Sequence, residues 1–346
     1  MPPQSRLEGA FAVMGEGPRR LTVKPPHPFA IPTRRRRFQD TLPAMKALLR
    51  WRRALADHTL RKKPDAVTLV AIARNEGPYL VEWLAHHLAV GFDRIVVYDN
   101  ESQDDTRALF KALSPRDLRL RRVPWPSPLD DSAQVLAYHH ALTGLATPWV
   151  MYLDLDEFLV PFGHADMAGL IGSLPEDVSS LHVNWRGFGS SGHTQPGYGL
   201  ITRAFTRCAP HDWGNHYHFK TLARARDVSA VRIHDVCHHR GRRVLSDGRD
   251  FANTSDGTSD RVVYDGVQIN HYQCKTLPEF QARMRRGDAN FPNHHPGRLR
   301  DDTLARFEVL DRNETEDHAI RAFDAPFESE YRRLCAILGR DPALSG

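Results

Sequence analysis

VTLVAIA (67–73), RNEG (74–77), PYLVEWLAHHLAVG (78–91) and DRIVVYDN (93–100) follow one another in the chain and read as strand, turn, helix and strand. The first run is apolar and β-branched without polar alternation, the pattern of a strand buried on both faces in a parallel sheet. Pro78 suits a first helical position, Tyr79, Leu80, Trp83, Leu84, His87 and Leu88 recur on one helical face, and Gly91 closes the segment. Together they make a βαβ unit, right-handed by rule. Working outward, ESQDDTRALFKAL (101–113) reads as a helix starting near Asp104 or Asp105, and LRLRRVPW (118–125) as a third strand. SAQVLAYHHALTGL (132–145) places Val135, Tyr138, Leu142 and Leu145 on one helical face, and PWVMYLDLDEFLV (148–160) reads as a fourth strand. Beyond Pro161 the alternation fades. SSLHVNWRGFGSSGH (179–193) offers a strand and a Gly/Ser loop, residues 218–239 two short strands, and LPEFQARMRRG (277–287) and DTLARFEVLDRN (302–313) helices. The pattern predicts an α/β domain over residues 65–290, between an arm at 1–64 and a helical extension at 291–346. Its central, mostly parallel sheet is flanked by helices, with ligands at the C-terminal edge of the strands.

The composition is that of a globular chain: 346 residues, 41% hydrophobic and 26% charged. No apolar run reaches the roughly 18 residues of a membrane span, and no apolar segment follows the first charges, which predicts a soluble chain made in the cytoplasm. Cys208, Cys237, Cys274 and Cys335 form no CxxC pair and are expected to be reduced. The net charge of +5 is unevenly shared. Residues 1–64 hold 15 Lys/Arg against 4 Asp/Glu, whereas the rest hold 32 against 38. A phosphate-tracking surface needs its cations on the folded domain, so nucleic acid is not an expected partner. Within the arm, LPAMKALLRWRRALADHTLRKK (42–63) sets Leu42, Met45, Leu48, Leu49 and Leu55 beside cations and Trp51. That pattern suits a helix lying peripherally on an anionic membrane, or one docked on its own domain.

The polar residues fall where ligands are expected. Asn75 and Glu76 follow the first strand, Asp99 and Asn100 end the second, and Asp154, Asp156 and Glu157 end the fourth. The two-residue period of a strand aims Asp154 and Asp156 to one side and Glu157 elsewhere. Two carboxylates at a sheet edge suit a hard cation such as Mn²⁺ or Mg²⁺ that also carries phosphates. His234, Cys237, His238 and His239 hold zinc-donor atoms at a spacing that matches no standard zinc site. Trp185, Phe188, Trp213 and Tyr217 suit sugar faces as well as core packing, and Lys220 a phosphate or a solvent-facing strand end.

Four stretches in order, VAIARNEGPYLVEWLAHHLAVGFDRIVVYDNESQDDT (70–106), MYLDLDEFLV (151–160), WRGFGSSGH (185–193) and INHYQCKTLPEFQARMRRG (269–287), carry a resemblance. Together they resemble a glycosyltransferase of the family 2 type, in the bacterial branch related to family 92. The resemblance implies a GT-A fold that binds a nucleotide-diphospho sugar, usually UDP-linked, with a divalent metal. It places Ala73, Arg74, Asn75 and Glu76 at the nucleotide, with Asn100 beside them, and Asp99 at the base or ribose. Asp154 is placed at the ribose or metal, Asp156 as the direct metal ligand, and His271 completing the metal shell. The implied reaction is transfer to a hydroxyl of a glycan or glycolipid in bacterial surface or exopolysaccharide synthesis. Inversion requires a base within reach of that hydroxyl. Asp212, His193 and Glu157 are the candidates, and the acidic doublet that usually carries the base is not evident between 176 and 216. Two rivals are a catalytically silent GT-A domain that binds glycan or nucleotide, and a nucleotidyltransferase. The latter wants a Gly-rich phosphate loop after the first strand, which ARNEGPY does not supply.

Overall fold

The structure is a computed structural model that describes residues 43–128, 130–255, 257–292 and 294–342. Of the expected arm, residues 1–42, Leu42 included, therefore lie outside the described residues. The described residues from 44 onward form one compact unit. After α1 (Pro43–Lys62) the chain runs β1 (Val67–Ala73), α2 (Gly77–Ala89), β2 (Arg94–Asp99), α3 (Thr106–Leu113), β3 (Leu120–Pro124) and α4 (Ala133–Thr143). Next come β4 (Trp149–Tyr152), β5 (Glu157–Val160), α5 (Met167–Gly172), β6 (Val178–Gly187), α6 (Ile201–Ala204), β7 (Arg207–Cys208), β8 (Phe219–Arg224), β9 (Val228–Val231) and β10 (Val236–His238). The last elements are β11 (Arg242–Leu245), β12 (Asn253–Ser255), β13 (Thr258–Ser259), β14 (Gln268–His271), α7 (Leu277–Arg286), α8 (Leu304–Leu310), β15 (Thr315–Glu316) and α9 (Asp324–Leu338).

Nine of these strands form one sheet in the order β3-β2-β1-β4-β8-β6-β14-β5, with β11 also on β6. The pairs β3–β2, β2–β1 and β1–β4 are parallel, while β8 runs antiparallel to both β4 and β6. The uninterrupted apolar run of β1 has the reason expected of it. Val67, Leu69 and Ala71 pack into a core shared with Trp83 and Leu84 of α2 and Phe327 and Leu334 of α9. Val70 and Ile72 point to the other face, where Ala137 and Tyr138 of α4 meet Val150 and Tyr152. Helices thus cover both faces of a mostly parallel mixed sheet, the GT-A arrangement that the motifs implied. β7 pairs with β15, which ties the C-terminal extension back to the domain.

Three expectations change. The run 148–160 is not one strand: β4 ends at Tyr152, a turn covers 153–156, and β5 leaves to pair antiparallel with β14. Residues 218–239 hold three strands rather than two. Lys220, expected at a phosphate or in solvent, is fully buried in β8. Two carboxylates receive its Nζ there, Asp154 at 3.0 Å and Glu157 at 3.6 Å.

α2 fixes the position of β5 and of the turn before it. Trp83 Nε1 donates to the Glu157 carbonyl at 2.8 Å, His86 Nε2 lies 2.7 Å from the Leu159 carbonyl, and the Leu159 amide donates to His87 Nε2 at 3.3 Å. Burial holds both imidazoles neutral, with His86 lowered to about 4.

Candidate functional site

At the C-terminal edge of β1, β2 and β4 lies a cleft. One wall is the β1–α2 turn, with Ala73, Arg74 and Glu76, together with Asn100. The floor is Gln134 with the turn Asp154–Leu155–Asp156, and the opposite wall is Arg283 and Arg286 of α7 followed by Asp288, Arg298 and Arg300.

The β1–α2 turn owes its shape to Asn75, whose φ of 55° is left-handed, a conformation that Asn tolerates. Its amide donates to Ser102 Oγ at 3.0 Å and its Oδ1 accepts from the Gln103 amide at 2.7 Å. Gly77 donates to Asp104 Oδ2 at 2.7 Å, and a Cβ on Gly77 would come within 2.0 Å of Asp105 Oδ1, so a side chain here would push that carboxylate aside. Asn100 is buried and donates to the Trp125 carbonyl and Ser127 Oγ. Asp99 does not line the cleft. Its Oδ2 accepts from Arg122 Nε at 2.6 Å and its Oδ1 from the Ser102 amide at 2.9 Å, which shapes the loop after β2.

Asp154 and Asp156 both reach the cleft, and it is the turn, not strand pleating, that brings them there. Asp154 accepts from Gln134 Nε2 at 2.9 Å and pairs with Lys220 Nζ at 3.0 Å. Lys220 also lies 3.6 Å from Glu157 Oε2, which accepts the Asp154 amide at 2.9 Å. Glu157 therefore does not point away from the pair but braces it from beneath. Burial pushes its carboxyl up to about 8, so it is protonated at neutral pH. Asp154 is ionised and held below the usual range by Lys220, against the opposing effect of burial.

Asp156 is buried, and its Oδ2 lies 3.0 Å from the Arg283 guanidinium and 3.6 Å from His271 Nε2. Burial would raise its carboxyl; Arg283 and His271 outweigh that and hold it well below the ordinary value. His271 ends β14 beside Glu157 of β5, and Trp185 lies against its ring at 4.2 Å. Several buried polar atoms gather here without a hydrogen-bond partner: Glu157 Oε1, His271 Nδ1, His234 Nδ1 and Trp185 Nε1. Native interiors rarely leave such atoms unmet, so their clustering points to a bound group. Among the described residues no set of three His, Cys, Asp or Glu side chains converges on one metal position, the 234–239 segment included. The pair Asp156 and His271 nevertheless fits a hard cation that draws its remaining ligands from substrate phosphates, as magnesium usually does.

The arginine wall went unassigned in the sequence. Arg286 pairs with Glu76 at 2.5 Å and donates to the Asn75 carbonyl at 3.3 Å. Arg298 donates to the Phe291 carbonyl at 2.8 Å, and Arg300 pairs with Asp288. Arg74 carries no hydrogen bond or ion pair among the described residues. The runs QARMRRG and GRLR were visible as charge, but only the fold brings them opposite the acidic turn. Arg283, Arg286 and Arg300 are paired with Asp156, Glu76 and Asp288, which leaves Arg74 and Arg298 without a carboxylate partner among the described residues, a lining that suits a doubly charged diphosphate with its counter-cation.

None of the three base candidates lines this cleft. Glu157 lies buried beneath it. His193, in the loop after β6, has its Nε2 3.2 Å from the Ala204 carbonyl and packs on Tyr198 and Phe205. Asp212 is exposed on a loop whose Trp213 lies over Gly187, the backbone partner of His271. The loop 188–193 is held by Asp311, which accepts from the Ser190 amide and hydroxyl, and by Asn313, which accepts from the Ser191 amide.

Comparison with known proteins follows this geometry. Residues 72–305 match the profile of glycosyltransferase family 92. A family 92 protein of Ricinus communis is 27% identical over 236 residues, which cover 66% of this chain and 39% of that protein. One from Oryza sativa subsp. japonica is 25% identical over 228 residues, covering 65% and 36%. The chain thus spans less than two-fifths of the length of these relatives. Among solved structures, Staphylococcus aureus TarS 1-349 aligns with a TM-score of 0.33 at 16% identity, over 78% of this chain and 72% of that one. Glucosyl-3-phosphoglycerate synthase from Mycobacterium tuberculosis, solved with phosphoglyceric acid, gives 0.26 at 17%, over 38% and 47%. Both scores lie below the level at which whole folds superpose. The family profile covers about two-thirds of the chain and takes in every wall of the cleft, and the chain belongs to glycosyltransferase family 92.

Proposed function

We propose that this chain transfers a sugar from a nucleotide-diphospho sugar, UDP-linked, to a hydroxyl of a surface glycan or glycolipid, with inversion at the anomeric carbon. The observation that carries the reading is buried His271, whose Nδ1 has no partner, beside ionised Asp156, which reaches a cleft walled by arginines at the sheet edge. Asp156 and His271 would hold Mn²⁺ or Mg²⁺, which supplies positive charge against the departing diphosphate in place of a general acid. Arg74, Arg283, Arg286 and Arg298 orient the phosphates. Ala73, Asn75, Glu76, Asn100 and Asp154 receive the nucleoside, with Asp154 kept ionised and fixed by Lys220 and Gln134; Asp99 supports the loop beside them. The acceptor hydroxyl loses its proton to a carboxylate or imidazole, for which Asp212 stands first among Asp212, His193 and Glu157 because its loop adjoins the β6 end next to His271. Exposed Trp51 and Leu55 on α1, beside exposed Arg50, Arg52, Arg61 and Lys62, suit peripheral contact with an anionic membrane.

The test is the thermal midpoint of the protein with UDP, GDP, CDP or TDP, each with and without Mn²⁺, repeated on Asp156→Ala. A ligand that binds the native state raises the midpoint by mass action. One nucleotide is expected to do so only with metal and only in the wild type. No shift with any nucleotide would leave the silent binding domain as the better reading.

A further inference from the structure

The cleft does not end at α7. Glu76, Arg283 and Arg286 also wall a second cavity of ≈ 390 Å³, bordered by Tyr79, Pro196 and Lys275. Tyr79, Pro196 and Glu279 are shared in turn with a third cavity of ≈ 390 Å³ that passes Tyr198 and reaches Tyr331 on α9 and Arg340 just after it. Cavities that share walls in this way make one continuous groove, leading from the acidic turn across α2 and α7 and bordered by the exposed Pro78, Pro196 and Pro278.

Its lining is built rather than incidental. Glu279 Oε1 accepts from Tyr79 Oη at 2.6 Å and from Tyr198 Oη at 2.7 Å, while its Oε2 accepts from Thr276 Oγ1 at 2.5 Å and caps α7. One carboxylate therefore locks two phenol rings, 119 residues apart in sequence, side by side. Burial raises the Glu279 carboxyl, but the three hydroxyl donors outweigh it and keep the group ionised. Lys275 Nζ sits 4.6 Å from the centre of the Tyr79 ring. With their hydroxyls committed to Glu279 and their rings half-buried, Tyr79 beneath Lys275 and Tyr198 against Phe205, the tyrosines leave part of their apolar surface to the groove, edged by fixed charges that can exchange hydrogen bonds. A pyranose has the complementary build, with an apolar face of C–H groups and a rim of hydroxyls. Rings already fixed in place bind at a lower entropic cost than free ones.

We propose that this groove binds the acceptor as an oligosaccharide of two or more sugar units, its chain lying over Tyr79 and Tyr198 and its reacting end at Glu76 and Arg283. The direction of the chain rests on the transferase reading; binding of the oligosaccharide does not. Two cavities of this size beyond the cleft leave room that one sugar unit would not fill.

The test uses a microarray of neutral and acidic oligosaccharides of two to six units, probed with the wild type, Pro196→Trp and Pro278→Trp. Both prolines are exposed and lie outside the cleft, so each indole obstructs the groove from a different bank, and melting midpoints verify the fold of each variant. The wild type is expected to retain a subset of the glycans and both variants to lose that retention by about tenfold or more, while the response to UDP and Mn²⁺ stays that of the wild type. Tyr198→Phe, which frees the ring from Glu279, is expected to weaken retention severalfold. Retention of no glycan by the wild type, or equal retention by both Trp variants, would overturn the proposal. Groove-dependent retention in a protein that ignores every nucleotide would uphold the groove and defeat the transferase reading instead.

Discussion

Replacing Lys220 by Met keeps the length of the side chain and removes its charge from the one place where the acidic turn cannot spare it. Lys220 and Glu157 are fully buried, and Lys220 Nζ is 3.0 Å from Asp154 and 3.6 Å from Glu157. Removing one partner of a buried charge cluster costs about 3–5 kcal/mol. Part of that is recovered, because 34% of the Asp154 side chain meets water and Gln134 Nε2 still donates to it at 2.9 Å. Glu157 adds little at neutral pH, since burial already keeps it protonated up to about 8. The net loss should be about 2–3 kcal/mol, which for a unit of this size lowers the melting midpoint by roughly 4–10 °C. The sign of the pH dependence follows. A carboxyl whose folded value is raised stabilises the fold below its ordinary value and loses that contribution as pH rises through the raised one. Arg283 stays with Asp156, but without Lys220 no cation lies against Glu157 to offset its ionisation, so the deficit of Lys220→Met should grow between pH 5.5 and pH 8.5. Calorimetry at both pH values checks this. A drop of less than about 2 °C, or equal drops at the two pH values, would refute the view that Lys220 is the counter-charge of this turn.

Three other outcomes are expected. Arg283→Ala should raise the Kd for UDP in the presence of Mn²⁺ by about tenfold or more, measured by titration calorimetry, since a charge-assisted contact to phosphate is lost; an unchanged Kd would mean that the arginine wall does not face the nucleotide. Asp212→Asn should lower kcat by about 10²–10⁴ without changing UDP affinity, and if His193→Gln does so instead, the base belongs to the 188–193 loop. Gly189→Ala should cost about 1–3 kcal/mol in urea unfolding, because the added Cβ would sit 2.4 Å from the Arg312 carbonyl and 2.5 Å from Asn313 Oδ1; a neutral result would show that the loop is free to move off the C-terminal extension.

Much of this molecule was legible in the chain itself. β1, α2 and β2 follow from local patterning, because a strand covered on both faces must be apolar throughout and a helix covered on one must repeat its apolar residues at helical spacing. The acidic residues at strand ends could be placed at the ligand edge for the same reason: once the strands are parallel, their C-terminal ends lie together. What local pattern could not show is where a strand stops when the next one is equally apolar. LDLDEFLV reads as a continuation of β4, and only the antiparallel claim of β14 on β5 breaks it into the turn that aims Asp154 and Asp156 into the cleft. The same holds for Lys220, Arg283 and Glu279, whose neighbours lie 66, 127 and 200 residues away along the chain. A charged side chain carries no mark of its partner. Whether it is solvated, braces a carboxylate or walls a phosphate site is decided by which distant groups the sheet order brings within a few ångströms, and that is a property of the tertiary structure alone.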